Sequence, residues 1–95
     1  MGSCYVYILS NAAKMLYIGA TTNIERRLHE HRNKSFERSF TAQYGIDRLV
    51  HLELFEDWSD ALARERQLKG WKRKRKISLI ELTNPTWQDL SHEWE

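Results

Sequence analysis

Apolar and polar positions along this chain change period several times, and each change marks an element. Cys4 to Leu9 is a run of β-branched, aromatic and aliphatic residues, the composition of a strand. Ser10 to Lys14 interrupts the run and Met15 to Gly19 resumes it, so a short antiparallel hairpin is expected. A turn centred near Ala12 places Tyr7 and Tyr17 opposite each other on one face. From Thr22 the period lengthens. Ile24, Leu28 and His31 form one stripe with Arg27 beside it, which predicts a helix from about Asn23 to about Asn33. Thr22-Asn23-Ile24-Glu25 matches a capping box, in which the threonine hydroxyl covers an early N–H and the glutamate reaches back. Between Lys34 and Ile46, Phe36, Phe40 and Tyr44 recur every fourth residue, which predicts a short helix ended by Gly45.

Strict alternation then returns. Leu49 to Phe55 reads as a third strand, with Leu49, His51, Glu53 and Phe55 on one face and Val50, Leu52 and Leu54 on the other. Asp57 or Ser59 is placed to cap a long helix that runs to Lys69 and ends at Gly70, with Trp58, Ala61, Leu62 and Leu68 as its apolar positions. A further helix from near Lys72 carries Ile77, Leu79, Ile80 and Leu82, and Asn84-Pro85 stops it. Thr86 to Glu95 is a tail in which Trp87 is expected to dock. The elements sum to an α+β fold, a small three-stranded antiparallel sheet flanked by helices.

Composition narrows the class. Ninety-five residues suit a single domain spanning 1–95. Cys4 is the one cysteine, so an intrachain disulfide and a cysteine-based zinc site are excluded. No apolar run approaches membrane-spanning length and no signal peptide opens the chain, so a cytoplasmic protein without a membrane partner is expected. The net charge is only +2, but from Arg64 to Lys76 eight of thirteen residues are basic and one is acidic. Such a stripe, holding Lys69, Lys72, Arg73, Lys74, Arg75 and Lys76, is an electrostatic footprint for polyphosphate. A solvated helix face is the plainer reading of the same run, and a nuclear-localisation signal a weak one.

Glu65 stands on the stripe of its helix that should face inward, and a carboxylate is rarely buried unless paired or bound to a metal. An ion pair with Arg64, Arg66 or another basic residue is one explanation. A hard oxygen donor for one divalent cation, Mg²⁺ or Mn²⁺, is the other. Arg27 and His31 lie four apart and share a face. Arginine matches phosphate geometry, and histidine can move a proton or orient water, although a satisfied edge histidine is equally common. His29 lies on a different face, which makes a zinc site of His29-Glu30-His31 a poor reading. Tyr7 and Tyr17 suit core aromatics; a phenol near a metal and cations would also lose its proton more easily and act as a base.

These residues together resemble the GIY-YIG nuclease superfamily, and within it the small proteins that consist of little beyond the nuclease module. Tyr5-Val6-Tyr7 stands at the first motif and Tyr17-Ile18-Gly19 at the second. The helix with Arg27 and His31 resembles the one that carries the family's arginine and, a turn on, its histidine or tyrosine. Ala61 to Lys69 resembles the helix with the metal-binding glutamate, here Glu65, and Asn84 falls where the family often has an asparagine near the site. Tyr5 replaces the glycine of the first motif, and Ala20 stands where some relatives have lysine. The resemblance implies phosphodiester hydrolysis with one divalent metal. Glu65 would hold the ion, Tyr7 activate water with help from His31, Tyr17 hydrogen-bond phosphate or water, and Arg27 neutralise transition-state charge. Gly19 and Asn84 are supporting positions. DNA is the expected substrate, single-stranded or structured DNA included, with RNA beside it. A non-cleaving nucleic-acid-binding module of the same fold is the alternative, and an adaptor using Trp87, Trp94 and the acidic tail is a third. Phe36, Phe40 and Tyr44 suit a loop anchor rather than a base-stacking surface.

Overall fold

Three antiparallel strands, in the order β2-β1-β3, organise the chain in a computed structural model that describes residues 3–33 and 40–94. In chain order these are β1 (Cys4–Ser10), β2 (Leu16–Thr21), α1 (Ile24–Arg32), α2 (Phe40–Tyr44), β3 (Arg48–Phe55), α3 (Trp58–Gly70) and α4 (Arg73–Thr83), followed by a 3₁₀ turn at His92–Trp94. The fold is the α+β arrangement expected. Phe36 lies outside the described residues. β1 is central, and its alternating side chains divide the core in two. Val6 and Ile8 join Ile18, Ala61, Leu68, Ile80 and Trp87 on the face covered by α3 and α4. Tyr7 and Leu9 join Ile24, Leu28, Ile46 and Leu49 on the face covered by α1.

The hairpin closes differently from the expectation. Ser10 pairs with Leu16, which centres the turn at Ala13, and Tyr7 therefore pairs with Gly19 while Tyr17 pairs with Leu9. Asn11 sets this turn: its carbonyl accepts from Lys14 N–H at 2.9 Å, and its side-chain oxygen accepts from Met15 N–H at 3.0 Å. Lys14 takes a positive φ of 61° inside it. Side chains alternate with period two, so a register offset of two leaves both tyrosines on one face but diagonal to each other. The first helix also starts one residue later than a Thr22 cap requires. Asn23 is the N-cap, its side-chain oxygen accepting from Arg26 N–H at 3.0 Å, and Thr22 is exposed.

β3 breaks the simple alternation. Ile8 pairs with His51 but Leu9 pairs with Leu49, so Val50 is the extra residue of a β-bulge. The bulge turns Leu49 to the α1 face, away from His51, and sends Val50 to the opposite cluster. Asn84, the C-cap of α4, holds the bulge. Its amide donates to the Val50 carbonyl at 3.1 Å and the Gln88 carbonyl at 2.9 Å, while its oxygen accepts from Gln88 N–H at 3.0 Å. Asn84→Ala strands the buried Val50 carbonyl, and we expect a loss of about 2 kcal/mol in folding stability. A urea midpoint equal to that of the parent protein would refute this.

The helices depart from their apolar patterns in an informative way. α3 buries Ala61 and Leu68, but Trp58 at its first position stays exposed and Leu62 is half-buried. α4 buries Ile80 and leaves Leu82 in solvent. Trp87 does dock. It is buried, donates its indole N–H to Glu81 at 2.7 Å, and carries the Lys14 ammonium over its ring. The tail continues back across the sheet, where Leu90 N–H donates to Leu49 C=O at 2.8 Å and Arg32 grips Asp89 and Ser91.

Candidate active site

Tyr7 is the centre of the site. It projects from the central strand on the α1 face and is fully buried. Its ring crosses the backbone of Gly19, its partner on β2. A Cβ at position 19 would stand 2.5 Å from the Tyr7 hydroxyl and 2.6 Å from Cζ, so only glycine leaves room for the phenol. Tyr17 follows on the same strand face, with ring centroids 6.3 Å apart. His31 completes a triangle of rings, 6.2 Å from Tyr7 and 5.5 Å from Tyr17, each met edge-on.

α1 delivers His31 and Arg27 together because they stand one turn apart. His31 is buried; its Nε2 lies 3.5 Å from the Tyr7 hydroxyl and its Nδ1 lies 2.9 Å from Thr41 Oγ1. Arg27 is half-buried and pairs with Glu30 at 3.4 Å, and its charge acts on the Tyr7 phenol. Arg26 is exposed. Burial pushes the His31 imidazole below its ordinary pKa and the Arg27 charge pushes it further, with Glu30 and Asp47 opposing. His31 is therefore held neutral near pH 7.

The Tyr7 phenol is displaced in the other direction. Burial raises it well above the usual tyrosine range, Tyr17 and Glu65 add to the rise, and Arg27 opposes it. In the protein alone desolvation outweighs the nearby Arg27 charge, and the phenol keeps its proton. The same electrostatics tie α3 to the site: the Glu65 carboxylate acts on Tyr7 from the helix that covers the other face of the sheet.

Glu65 is half-buried and pairs with Lys69 at 2.5 Å, one turn on along its own helix. Arg64 is committed elsewhere, donating to both carboxylate oxygens of Glu53 at 2.8 and 3.0 Å. Glu53 also bonds the buried His51 at 2.7 Å. Burial alone would raise the Glu53 pKa, but the bonds from Arg64 and His51 hold it below the ordinary carboxylate range.

The basic stripe is equally divided. Lys69 serves Glu65, Arg73 donates to the Lys14 carbonyl at 2.6 Å, and Arg75 and Arg64 both lie over the Trp71 ring, at 3.9 and 5.2 Å. Lys76 is half-buried, while Lys72 and Lys74 are exposed beside a shallow cleft that Trp71 and Ser78 also line. Asn84 makes its contacts with the bulge and the tail and none with the tyrosine cluster. Phe40 and Tyr44 are exposed and lie against each other, centroids 5.0 Å apart; the inward residue of α2 is Thr41. Thr41 is the site neighbour that periodicity missed, since a threonine among aromatic residues carries no signal until the helix docks.

The arrangement of a glycine-backed tyrosine pair, an arginine and histidine one helical turn apart, and a lone glutamate on a second helix has a counterpart in known proteins. The model of the GIY-YIG catalytic domain matches residues 3–78. The chain belongs to the GIY-YIG family. It is 42% identical over 81 residues to a UPF0213 protein of Syntrophus aciditrophicus, covering 85% of this chain and 93% of that one. A UPF0213 protein of Haloquadratum walsbyi is 40% identical over 77 residues, covering 81% and 85%. The solution NMR structure of a UPF0213 protein from Bacillus halodurans superimposes with a TM-score of 0.60 at 27% identity, over 96% of both chains. GIY-YIG is a family of nuclease type, which implies a nucleic-acid substrate and, in general, a divalent metal.

The residues present fit such an ion. Among the described residues no three His, Cys, Asp or Glu side chains converge, so an all-protein cage is not built from them. Glu65 supplies one hard oxygen donor, the set that suits Mg²⁺ or Mn²⁺ when water and phosphate oxygens fill the other positions. Its present partner, Lys69, is more than half exposed, and an ion pair of that kind is worth under about 1 kcal/mol, so it holds the carboxylate only weakly. No helix among the described residues is long and apolar enough to cross a membrane.

Proposed function

We propose that this protein is an endonuclease that hydrolyses phosphodiester bonds in DNA with one divalent metal ion, single-stranded or structured DNA among its substrates. The observation that carries the reading is the environment of Tyr7. The phenol is buried over Gly19, faces His31 Nε2 at 3.5 Å, accepts the influence of Arg27, and lies in the field of Glu65. A core tyrosine needs one partner for its hydroxyl; it does not need an arginine, a neutral histidine and a carboxylate.

The chemistry follows from those positions. Tyr7 keeps its proton at rest and becomes a base only by passing that proton on. His31 Nε2 is the acceptor, across a contact that tightens when substrate excludes water. The phenol oxygen takes a proton from the attacking water as its own passes to Nε2, so neither group ionises alone against its shift. Arg27 neutralises charge that gathers on the phosphate oxygens, and Tyr17 donates a hydrogen bond to phosphate or water. A metal ion held by Glu65 supplies Lewis-acid polarisation of the scissile phosphate when bound. Lys72 and Lys74 contact backbone phosphates away from the reacting centre.

The direct test is incubation of labelled single-stranded and double-stranded DNA with Mg²⁺ or Mn²⁺, and in parallel with chelator. Metal-dependent cutting supports the reading. Binding without cutting of DNA, RNA or branched junctions would turn it to a non-cleaving module. Lys72→Glu with Lys74→Glu should weaken binding alike on unrelated sequences, because phosphate contacts carry no sequence information. The salt slope of log K on duplex should flatten by roughly 0.9 for each phosphate that the protein no longer neutralises. Weakening confined to particular sequences would contradict a phosphate role for these lysines.

A further inference from the structure

His31 can serve Tyr7 only in one of its two neutral forms, and the structure holds the group that selects between them. The Nδ1 contact to Thr41 Oγ1 is 2.9 Å, within the normal range, while the Nε2 contact to Tyr7 is 3.5 Å, at its outer edge. The shorter bond dominates the choice of tautomer. Donor counting gives its direction. A buried phenol has to give its proton to an acceptor, since an unpaired O–H away from water is costly. Nε2 is the acceptor that faces it. A neutral imidazole with a bare Nε2 carries its proton on Nδ1, and a threonine hydroxyl has the lone pairs to receive it.

We propose that Thr41 is a positioning residue for His31: its hydroxyl accepts the Nδ1 proton and thereby keeps Nε2 as a bare acceptor aimed at the Tyr7 phenol. The consequence for catalysis rests on the nuclease reading; the tautomer does not. In the working site the phenol proton moves to Nε2 while the Nδ1–H stays on Thr41. The imidazolium so formed has both N–H groups satisfied, and the phenol oxygen takes a proton from the attacking water in the same step. Thr41 lies outside the tyrosine motifs and outside the two helices that carry Arg27, His31 and Glu65, on the short α2 that packs beside α1.

The experiment is ¹⁵N NMR of histidine-labelled protein, with His31 assigned among the four histidines by His31→Gln. The ring nitrogens of the parent protein should report the Nδ1–H form. Thr41→Val, which keeps the shape and removes the hydroxyl, should shift the ring towards the Nε2–H form and slow cleavage about tenfold or more, a share of what general acid–base catalysis contributes. Thr41→Ser should restore both. A parent ring protonated on Nε2, or an Nδ1–H form that Thr41→Val leaves unmoved, overturns the proposal. The parent spectrum decides the tautomer even where Thr41→Val does not fold, and Thr41→Ser then tests the hydroxyl. Expected ring signals in a protein that cuts nothing would support the Thr41 contact and sink the nuclease reading. Cleavage by a protein with the opposite tautomer would do the reverse.

Discussion

Glu65→Ala is expected to lose DNA cleavage by about a thousandfold or more while still binding DNA, since a metal's charge stabilisation of the transition state amounts to several kcal/mol. Two features of the site make this a clean separation. Glu65 contributes little to folding, because its partner Lys69 is more than half exposed and the pair is solvent-screened. Its removal also takes a negative charge from beside the basic stripe and frees Lys69, so affinity for a polyanion should hold or rise. The variant is to be assayed for cutting under saturating Mg²⁺ or Mn²⁺ and for binding by salt-dependent titration. Cutting at the parent rate would show that Glu65 does not hold the metal. Loss of binding together with cutting would mean that the carboxylate maintains the stripe rather than the chemistry.

Gly19→Ala should be nearly as damaging for a different reason. The added methyl would stand 2.5 Å from the Tyr7 hydroxyl, a separation no real Cβ shows, and a fully buried ring has no open space to swing into. The phenol must move off its position against His31. Displacement of a reacting group by about 1 Å costs on the order of a hundredfold in rate, and overpacking costs about 1–3 kcal/mol in stability. Tyr7→Leu in the Gly19→Ala background separates the two effects. It removes both the hydroxyl and the Cζ that the methyl would meet, so stability should return in part while activity does not. An alanine variant with the parent rate would show that the close approach of Tyr7 to Gly19 has no catalytic role.

How much of this was legible beforehand differs from residue to residue. The hairpin, the two tyrosines on one face, and the pairing of Arg27 with His31 follow from local periods of two and 3.6, and the structure keeps all three. The register did not follow. Whether the turn centres on Ala12 or Ala13 depends on the Asn11 side chain closing the turn, a local hydrogen bond that composition does not reveal. The faces of β3 failed below His51 because a bulge costs one residue of alternation, and Val50 is apolar on either side. Glu65 was found as a misplaced carboxylate, and the basic residue that pairs with it is Lys69 of its own helix. Arg64 satisfies Glu53 on the neighbouring strand, a pairing between residues eleven apart that only the packing of α3 on the sheet brings about.

By itself the sequence determined which groups this protein has to work with and on which elements they stand: Tyr7 and Tyr17 on one hairpin, Arg27 and His31 on one helix, Glu65 on another, and a basic run after it. Those are consequences of spacing, and spacing is local. The protonation states were decided by the tertiary structure alone. Burial holds Tyr7 protonated and His31 neutral, Thr41 arrives from α2 to meet Nδ1, and the basic run is parted into residues that brace the fold and residues that face solvent. Desolvation and hydrogen-bond partnership depend on what surrounds a group in space, and for this site those surroundings come from five separate elements of the chain.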